Sequence, residues 1–501
     1  MVGLPFDCLA NPLGAVRLTF EKAVASGTDP ATLGGKDWGA VDLFRRFLFE
    51  DGALSQVPIL SPASIRWIKP NTLVRFRGMI QDMLGNEFYV GAYKNGSTWR
   101  TNKFMDVSQF PLGSSSDTQV WERRMLYCVP IPGQNEWTES NSEAVMNQYR
   151  NWTSQHREKR QREDEAATSH MDLLVPGHNF HISPSSKKMV PRLHCFVHRK
   201  LAPTDFLCGS HKMEPKPHLV KELREALLVH LTAVLGNDGL AAHFMLLHLL
   251  SRVHARVDTV AVGKLSLNLS CLNKESASVF RNRISLALEN LIPFTHSIPL
   301  TVEYLNSASL GPRKDYQTNR LVTGVLQLAD GSHLTIDETQ LEAGTLNSIG
   351  VENARLLKNL TELQKVEYDF TYYKMDMAAD VQLLILSDGK SNILPADVVL
   401  PFQPSSVGSC EVIVTETFEA WRWYLATLKS LSHTIESEMQ KVVEDDMVAA
   451  RQADRNLGSQ DFSRWLTMGR LMSLSFGETC LTRDHWQMVK ELERLRRERL
   501  K

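Results

Sequence analysis

Residues 321–341, with the sequence LVTGVLQLADGSHLTIDETQL, contain the pattern that decides the fold. The pattern predicts a turn followed by a strand, and the strand ends on one apolar residue and two carboxylates, Ile336, Asp337 and Glu338. Two carboxylates at a strand end have two interpretations. They form the solvated cap of a strand that a helix follows, or they are the acidic pair of a nucleotide-hydrolysing site.

An acidic pair of the second kind works only with a phosphate loop. In a P-loop ATPase the first carboxylate holds the magnesium shell and the second polarises the attacking water. The loop, G-x-x-x-x-G-K-[ST], needs its glycines so that backbone N–H groups can wrap the phosphates. Residues 271–278 stand in the expected place after a predicted strand, but they contain no glycine and offer only Lys274, with Ser276 and Ser278 nearby. We therefore expect that the chain does not cradle ATP in the usual way.

The composition is that of a nearly neutral globular protein. The chain has 501 residues, of which 43% are hydrophobic, and this length predicts about three domains. Because 56 basic residues stand against 57 acidic ones, no overall positive charge favours nucleic acid as a partner. Seven cysteines, an odd number, argue against a disulfide framework. The start lacks a basic segment followed by an apolar run, and residues 240–250 are too short to cross a bilayer, so we expect a soluble intracellular protein.

The N-terminal part predicts a short helix and a small β domain. Residues 37–50 have helical periodicity with Asp37 as a possible N-cap. From residue 73 the period changes to two, with a predicted turn at Gly85-Asn86 and a second strand over residues 87–93. Residues 73–99 also leave a single-strand DNA-binding barrel open, because such barrels combine basic and aromatic side chains. The side chains concerned are Arg75, Arg77, Phe88, Tyr89 and Trp99.

A polar linker separates this part from the rest. Residues 139–186 lose apolar periodicity and include the charge run REKRQREDE at residues 157–165, which predicts a disordered segment. The run is a solvated charge cluster or, through its basic residues 157–162, a nuclear import signal.

A possible metal site follows the linker. Two pairs with the C-x-x-H spacing supply four ligands of the type that zinc prefers: Cys195, His198, Cys208 and His211. The alternative is a buried cysteine and partly buried histidines, because the loop between the pairs is shorter than in common zinc modules.

The second half of the chain alternates helices and strands and then becomes entirely helical. Residues 218–234 and 239–256 predict two helices, with residues 236–238 ending the first and capping the second. The second helix is apolar on nearly all sides, which indicates a central position, and its His243 and His248 are expected to be interior histidines rather than ligands. Residues 418–446, 459–474 and 482–500 predict three C-terminal helices.

Several stretches carry a resemblance to known families. LQLADG at residues 326–331 with IDE at 336–338 is similar to the acidic-motif region of the MCM helicase ATPase module, and the helices of residues 459–495 resemble its lid. The chain further resembles the mini-chromosome maintenance complex-binding protein family, close to its plant members. The stretches that carry this second resemblance are KDWGAVDLF (36–44), LVRFRGMIQDMLGNEFY (73–89), LLHLLSRVHARVD (246–258) and KVEYDF (365–370).

The resemblance implies a nuclear protein that binds the MCM helicase complex, is built like a degenerate MCM subunit, and acts in helicase assembly, turnover or unloading and in sister-chromatid cohesion. It places the residue that would sense the γ-phosphate near residues 387–389 and the lid arginine at Gln460, and neither position matches. Family members usually carry a longer region where residues 169–190 stand here, which indicates a shortened middle.

The sequence thus predicts an α/β protein with a degenerate AAA+/MCM-like ATPase core, a helical lid and a preceding small OB-like β domain. The predicted segments are 1–138 for the helix and β domain, 139–189 for the linker, 190–415 for the core and 416–501 for the lid. We expect no enzymatic activity and no cofactor. The expected partners are MCM subunits and, through them, chromatin, without direct contact to nucleic acid or membrane. The alternatives are an active ATPase with an unusual phosphate site at Lys274 and a single-strand DNA-binding protein.

Overall fold

The computed structural model describes residues 7–33, 36–51, 53–61, 64–105, 117–138, 216–270, 274–391, 393–405 and 415–501. The chain divides into two compact units. The described residues up to Tyr127 belong to the first unit, and those from Cys128 onward belong to the second. The predicted α/β class is confirmed, and the largest sheet among the described residues is parallel.

The first unit packs helices against a three-stranded sheet. Its helices are α1 (Pro12–Ala25), α2 (Pro30–Leu33) and α3 (Ala40–Arg45), and α3 continues into a π-helical turn, Arg46–Glu50. Its strands are β1 (Met79–Asn95), β2 (Thr98–Thr101) and β3 (Thr118–Val129), in the order β2-β1-β3. Phe20 of α1, Ala92 of β1 and Trp121 of β3 form a buried cluster. Gly91 has to be a glycine here, since a Cβ atom would lie 2.0 Å from the Trp121 ring.

The predicted turn at Gly85-Asn86 is wrong. Strand β1 runs through both residues, and the Asn86 side-chain amide bonds the Glu122 carboxylate of β3 at 2.5 Å. Gly85 absorbs the local distortion with a φ of +94°, which glycine tolerates. The hairpin turn lies instead at Gly96-Ser97, between β1 and β2. Asn95-Gly96 is the stronger hairpin signal, because glycine readily takes the positive φ that tight hairpin turns require.

The second unit is built on a five-stranded parallel sheet. Its order is β14-β6-β13-β10-β7, so the strand that comes fourth along the chain lies between the first and the third. The strands are β6 (Leu267–Ser270), β7 (Thr295–Pro299), β10 (Ser332–Asp337), β13 (Val381–Leu386) and β14 (Val398–Pro401). The predicted strand before the acidic pair is therefore confirmed, and Gly331, at a φ of +82°, makes the turn that precedes it.

Helices cover the parallel sheet, and smaller strands complete the unit. The helices are α4 (Pro217–Val234), α5 (Gly239–Leu250), α6 (Lys274–Leu291), α7 (Val302–Ser307), α8 (Ser348–Leu363), α9 (Thr415–Ser430), α10 (Ser437–Ala453), α11 (Ser459–Ser475) and α12 (Arg483–Leu500). Strands β4 (Ala255–Val257) and β5 (Val260–Val262) form a hairpin. Strands β8 (Arg313–Asp315), β9 (Arg320–Val322), β11 (Lys365–Asp369) and β12 (Lys374–Ala378) form a second sheet, in the order β12-β11-β8-β9.

Alternate residues of the central strand β13 face two different hydrophobic cores. Leu384 and Leu386 pack in a cluster with α4, α5, α6 and the C-terminal helices, whereas Leu383 and Ile385 pack in a cluster with α7 and α8. This period of two is expected when both faces of a parallel sheet are covered.

Helix α5 is buried as predicted, but it ends at Leu250 rather than at residue 256. The Gln382 side chain of β13 explains the early end. Its amide donates to the carbonyl oxygens of His248, Leu249 and Ser251 at 2.7–2.9 Å, which satisfies the last carbonyls of the helix. In the described ranges no single helix is long and apolar enough to span a membrane, and the one pair that passes together, α4 with α5, is bent by 120°.

His243 and His248 are hydrogen-bonded within the chain, as predicted for interior or rim histidines: His248 is buried and His243 is half-buried. His243 Nδ1 bonds the Gly239 carbonyl at 2.8 Å. His248 Nδ1 bonds the Leu265 carbonyl at 2.7 Å, and its Nε2 lies 3.0 Å from Nε2 of His333. A carbonyl only accepts, so Nδ1 of His248 carries the proton and the hydrogen between the rings belongs to His333. Burial lowers the pKa of both imidazoles, to about 4 for His248, and keeps the pair neutral.

The single C-terminal helix predicted over residues 418–446 is wrong. Two helices, α9 and α10, occupy this stretch. Between them the Thr434 amide donates to the Thr479 carbonyl at 2.8 Å, and this backbone pairing takes the chain out of the helix. The predicted start at Thr482 is confirmed, because its hydroxyl accepts from the His485 amide and caps α12.

Candidate functional site: the acidic edge of the parallel sheet

The acidic pair lies where three neighbouring parallel strands end. Strand β10 ends at Asp337, β13 ends at Leu386, and β6 ends at Ser270, just before helix α6. Parallel strands place their carboxyl ends at one edge of the sheet, and ligands of open α/β sheets bind outside that edge. The predicted acidic pair and the predicted phosphate-loop position are therefore at the same edge.

Asp337 is already neutralised by a residue of the same chain. Arg281, from helix α6, places Nη1 2.8 Å from Asp337 Oδ2. The other carboxylate oxygen accepts the Thr339 amide at 3.0 Å and the Thr339 hydroxyl at 2.6 Å. The guanidinium thus supplies the positive charge that magnesium supplies to such a carboxylate in an ATPase.

The expectation that the two carboxylates are exposed strand-end groups is wrong. Asp337 is 3% exposed and Glu338 is 6% exposed. Neither forms the solvated cap that the simpler interpretation proposed, because Arg281 and Ser391 contact them from other elements. The Glu338 amide continues the ladder to the Leu386 carbonyl at 2.8 Å.

Glu338 is held by a serine rather than by a cation. Its Oε1 accepts the Ser391 hydroxyl at 2.7 Å, and Ser391 follows strand β13. Burial raises the pKa of the Glu338 carboxyl, and the hydrogen bond from Ser391 lowers it in part. Ser391 belongs to Gly389-Lys390-Ser391, which resembles half of a phosphate loop in the sequence. In the structure, the Ser391 hydroxyl donates its hydrogen bond to Glu338 of the acidic pair.

We expect Glu338→Gln to make the protein more stable at pH 7. The raised pKa means that the folded state disfavours the ionised carboxylate, so Glu338 costs stability once the pH exceeds the pKa of the unfolded chain. The amide of glutamine has no charge to bury and can still accept from Ser391. Thermal unfolding should show a difference in stability at pH 7 that narrows as the pH falls and closes below about pH 4, where the carboxyl is mostly protonated in both states. A less stable variant at pH 7 would contradict this argument.

The segment at the phosphate-loop position is shorter than a phosphate loop. Only three residues separate Ser270, at the end of β6, from Lys274, at the start of α6, whereas a phosphate loop places about six residues before its lysine. Residues 271–273 and the side chains of Lys274 and Ser276 lie outside what the structure describes. Ser278 is exposed on α6.

Two residues of this edge were missed by sequence reasoning. Asn268 of β6 is fully buried, and its amide donates to the Ser387 hydroxyl at 2.7 Å and to the Ile385 carbonyl at 3.2 Å. Ser387, in the predicted γ-phosphate-sensing position, is thus bonded within the chain. Arg281 is the second missed residue. The sequence could have indicated Arg281, because an arginine two turns into the helix that follows β6 can reach the carboxyl end of the parallel sheet.

The lid position does not reach the acidic pair. Gln460 is exposed on α11, and none of the hydrogen bonds and ion pairs among the described residues joins it to Asp337 or Glu338. The arginine one turn further, Arg464, donates to the Glu493 carboxylate and to the Asp397 carbonyl. Asp397 precedes β14, so this contact lies at the opposite, amino edge of the parallel sheet.

The metal site predicted from the sequence is not part of the chain that the structure describes. The predicted zinc ligands Cys195, His198, Cys208 and His211 lie outside the described residues, and within the described ranges no group of three or more potential ligands could hold a metal ion.

The aromatic side chains proposed for single-strand DNA binding do not form one platform. Tyr89 packs edge-on against Trp121, with Arg123 over its ring at 4.8 Å, and Trp99 packs against the same buried cluster. Phe88 points from the opposite face of β1 and is 71% exposed. Burial lowers the pKa of Arg75 to about 10. Bases need adjacent exposed rings on which to stack, and this arrangement does not provide them.

Comparison with known proteins identifies the family. The model of the family described as mini-chromosome maintenance replisome factor matches residues 44–188 and 176–500. The chain belongs to this family. A mini-chromosome maintenance complex-binding protein of Arabidopsis thaliana is 56% identical over 589 positions, which cover 100% of both chains. Proteins of the same name are 31% identical in Salmo salar and 29% identical in Homo sapiens, over 97% or more of each chain.

The alignment with the plant protein also bears on the shortened middle. It has 589 positions, against 501 residues in this chain, so about 88 positions have no residue here. The two matched segments of the family model meet at residues 176–188, within the stretch that the sequence indicated as short.

Proposed function

We propose that this chain is a non-catalytic binding partner of the MCM complex. The observation that carries the non-catalytic part is the ion pair between Arg281 and Asp337, at 2.8 Å, because it occupies the carboxylate that would have to hold magnesium. The binding part is supported by relatives that are named as MCM complex-binding proteins and match this chain from end to end.

We further propose that the second unit is a degenerate MCM-like ATPase core with a helical lid. Support comes from the strand order, in which β13 lies between β6 and β10, so that the phosphate-loop position and the acidic pair share one edge. The C-terminal helices support the lid assignment, since α12 packs along strand β14 through Arg496 and Arg499. For the first unit the proposal keeps the OB-like fold, of which the sheet β2-β1-β3 would supply three of about five strands.

In this proposal the protein acts in the nucleus, in assembly, turnover or unloading of the helicase during DNA replication, and in sister-chromatid cohesion. An ATPase-like shape without ATPase chemistry suits a protein that occupies the place of a helicase subunit at a subunit interface. Co-purification of the tagged chain with the individual helicase subunits tests this. Recovery of no MCM subunit above an untagged control would refute it.

The purified chain should not hydrolyse ATP. The edge that would bind the nucleotide already holds an arginine against Asp337, and the loop before Lys274 has no glycine to wrap phosphates. Steady-state phosphate release in the presence of magnesium should equal the buffer background for the wild type and for Glu338→Gln alike. Turnover that is present in the wild type and lost in the variant would show a working active site and restore the ATPase alternative.

A further inference from the structure

The hairpin of β11 and β12 carries a tight and strained tip. Thr371 has a φ of +65°, a conformation that β-branched residues rarely adopt. The tip is held by two hydrogen bonds: the Thr371 amide donates to the Asp369 side chain, at Oδ1, at 2.7 Å, and the Phe370 amide donates to the Tyr373 backbone carbonyl at 2.9 Å. Strain that the surrounding contacts maintain is typical of functional segments.

This tip presents aromatic side chains to solvent. Tyr372 is 84% exposed, Tyr373 is 54% exposed and Tyr316, from the neighbouring β8-β9 turn, is 50% exposed. The rings of Tyr316 and Tyr372 meet edge to face at 5.4 Å, and Phe370 stacks on Tyr373 at 4.9 Å. Exposed tyrosines that are preordered in this way are typical of interface anchors.

Strand β12 is an edge strand whose outer backbone groups are unpaired among the described residues. The Phe370 amide donates to the Tyr373 carbonyl at one end of the hairpin, and the Ala379 amide donates to the Gln364 carbonyl at the other end. Both residue pairs continue the register in which β11 and β12 are paired. Hydrogen-bonded pairs recur every second residue in an antiparallel ladder, so Tyr373, Met375 and Met377 bond β11. Lys374, Asp376 and Ala378 therefore direct their N–H and C=O groups outward, and every residue of β12 is exposed.

One face of this edge is apolar. Tyr373, Met375 and Met377 alternate along β12 and continue the face formed by their cross-strand neighbours Val366 and Tyr368, which pack on the core. Methionine side chains adapt to partners of different shape. Unpaired backbone groups beside an apolar stripe are the two features that an added strand requires.

The charges favour a protein strand over nucleic acid as the occupant. The Lys374 ammonium is 2.8 Å from both Glu352 and Glu367, so it is already paired, and Asp369 adds a negative charge beside the tyrosines. Phosphate backbones require cations that are free to exchange counterions. An extended peptide requires only the backbone donors and acceptors of the edge.

We propose that β12 is a docking edge onto which a subunit of the MCM complex adds an extended strand, with Tyr372 and Tyr373 as anchors at its tip. This proposal rests on the proposed function, since it names the surface through which that binding occurs. The added strand pairs with the outward groups of Lys374, Asp376 and Ala378, and its alternate side chains cover Met375 and Met377.

The first test uses proline to remove one outward N–H group from the full-length chain. Asp376→Pro leaves the bonds to β11 intact, because position 376 bonds outward, and proline is tolerated at such edge positions. The matched variant Asp376→Ala loses the same carboxylate but keeps the N–H. We expect the proline variant to bind the purified MCM complex at least about ten-fold more weakly than the alanine variant.

Two further measurements keep the test decisive if the proline variant misfolds. Tyr372→Ser with Tyr373→Ser changes only exposed rings, and it should weaken binding at least about ten-fold, whereas Val448→Ser, at an exposed position of α10, should not. Hydrogen exchange of the wild type should show that the amides of Lys374, Asp376 and Ala378 gain protection in the complex, while those of Met375 and Met377 are protected already.

The outcomes separate this inference from the proposed function. A wild type that binds the MCM complex, together with tyrosine variants of equal affinity and unprotected outward amides, overturns the docking edge alone. A wild type that does not bind overturns both. Salt-dependent binding of a single-stranded oligonucleotide that the tyrosine double variant abolishes would assign the surface to nucleic acid instead and would also overturn the proposal.

Discussion

Arg281→Met should lower the free energy of unfolding by about 3 kcal/mol, although Arg281 lies near the surface. The Asp337 carboxylate is buried, and without the guanidinium it keeps only the two hydrogen bonds from Thr339. Leaving a buried charge without its counter-charge is among the most destabilising single changes. Denaturant unfolding of the two proteins gives the difference directly.

Removal of the carboxylate charge instead of the guanidinium should lower the free energy of unfolding by less. In Asp337→Asn the side chain can still accept from Thr339, and the half-exposed Arg281 can turn to solvent, so we expect a loss of about 1 kcal/mol. The double variant should be more stable than Arg281→Met alone, because it removes the unpaired charge. The matched control is Arg494→Met, which breaks an exposed pair with Glu491 and should change the free energy of unfolding little. Equal losses of unfolding free energy for Arg281→Met and this control would show that Arg281 and Asp337 do not act as a buried ion pair.

Asp238→Ala should destabilise the protein by about 4 kcal/mol, the largest effect that we expect from one substitution. Asp238 is fully buried and has two roles. It caps helix α5 by accepting the Ala241 amide at 3.0 Å, and both its oxygens bond Arg499 of α12, at 2.6 and 2.9 Å. Loss of the cap costs about 1 kcal/mol, and leaving the mostly buried Arg499 without its counter-charge costs about 3 kcal/mol.

Variants of the same pair separate the two roles. Arg499→Met keeps the cap but leaves Asp238 charged and buried, so thermal unfolding should still show about 3 kcal/mol of destabilisation. The reference is the pair of Arg497 and Asp454, which is 3.6 Å long and partly exposed on the same helix. Its loss should cost below about 1 kcal/mol. If Asp238→Ala and Arg497→Met cost the same, the C-terminal helix α12 is not fixed to the start of α5 through this carboxylate.

The contacts of the C-terminal helices bear on the proposed lid. Arg496 and Arg499 bond the carbonyl oxygens of Val399 and Pro401 on strand β14, and Glu493 joins Arg464 to Arg496. In a working ATPase the lid has to move with the nucleotide state. Here, hydrogen bonds from two arginines to strand β14 and a buried ion pair between α11 and α12 fix these helices in place, which agrees with the proposal that the protein uses the shape of an ATPase rather than its cycle.

Elements with a strong local pattern could be predicted from the sequence. Strand β10 before the acidic pair, the buried helix α5 and the cap at Thr482 all follow from residues close to one another in the chain. Hydrophobic period and capping residues report such local preferences.

The errors come from contacts between distant residues. Helix α5 ends early because Gln382, more than 130 residues away, caps its last carbonyls. The pair Asp337-Glu338 is buried because Arg281 and Ser391, from other elements, satisfy it. A carboxylate at a strand end looks the same in the sequence whether it faces solvent or an arginine. Tertiary pairing therefore decides the burial of the site, and no local pattern encodes it.

The central claim is that the ATPase-like second unit binds the MCM complex. The most direct measurement is the affinity of two fragments, residues 1–127 and 128–501, for the purified complex. The larger fragment includes residues 128–138, since Gly133 and Asn135 bond the backbone beside β7. We predict that residues 128–501 bind within about three-fold of the full-length affinity, and that residues 1–127 show no binding up to about 10 µM. Full affinity in residues 1–127 and none in residues 128–501 would contradict the account.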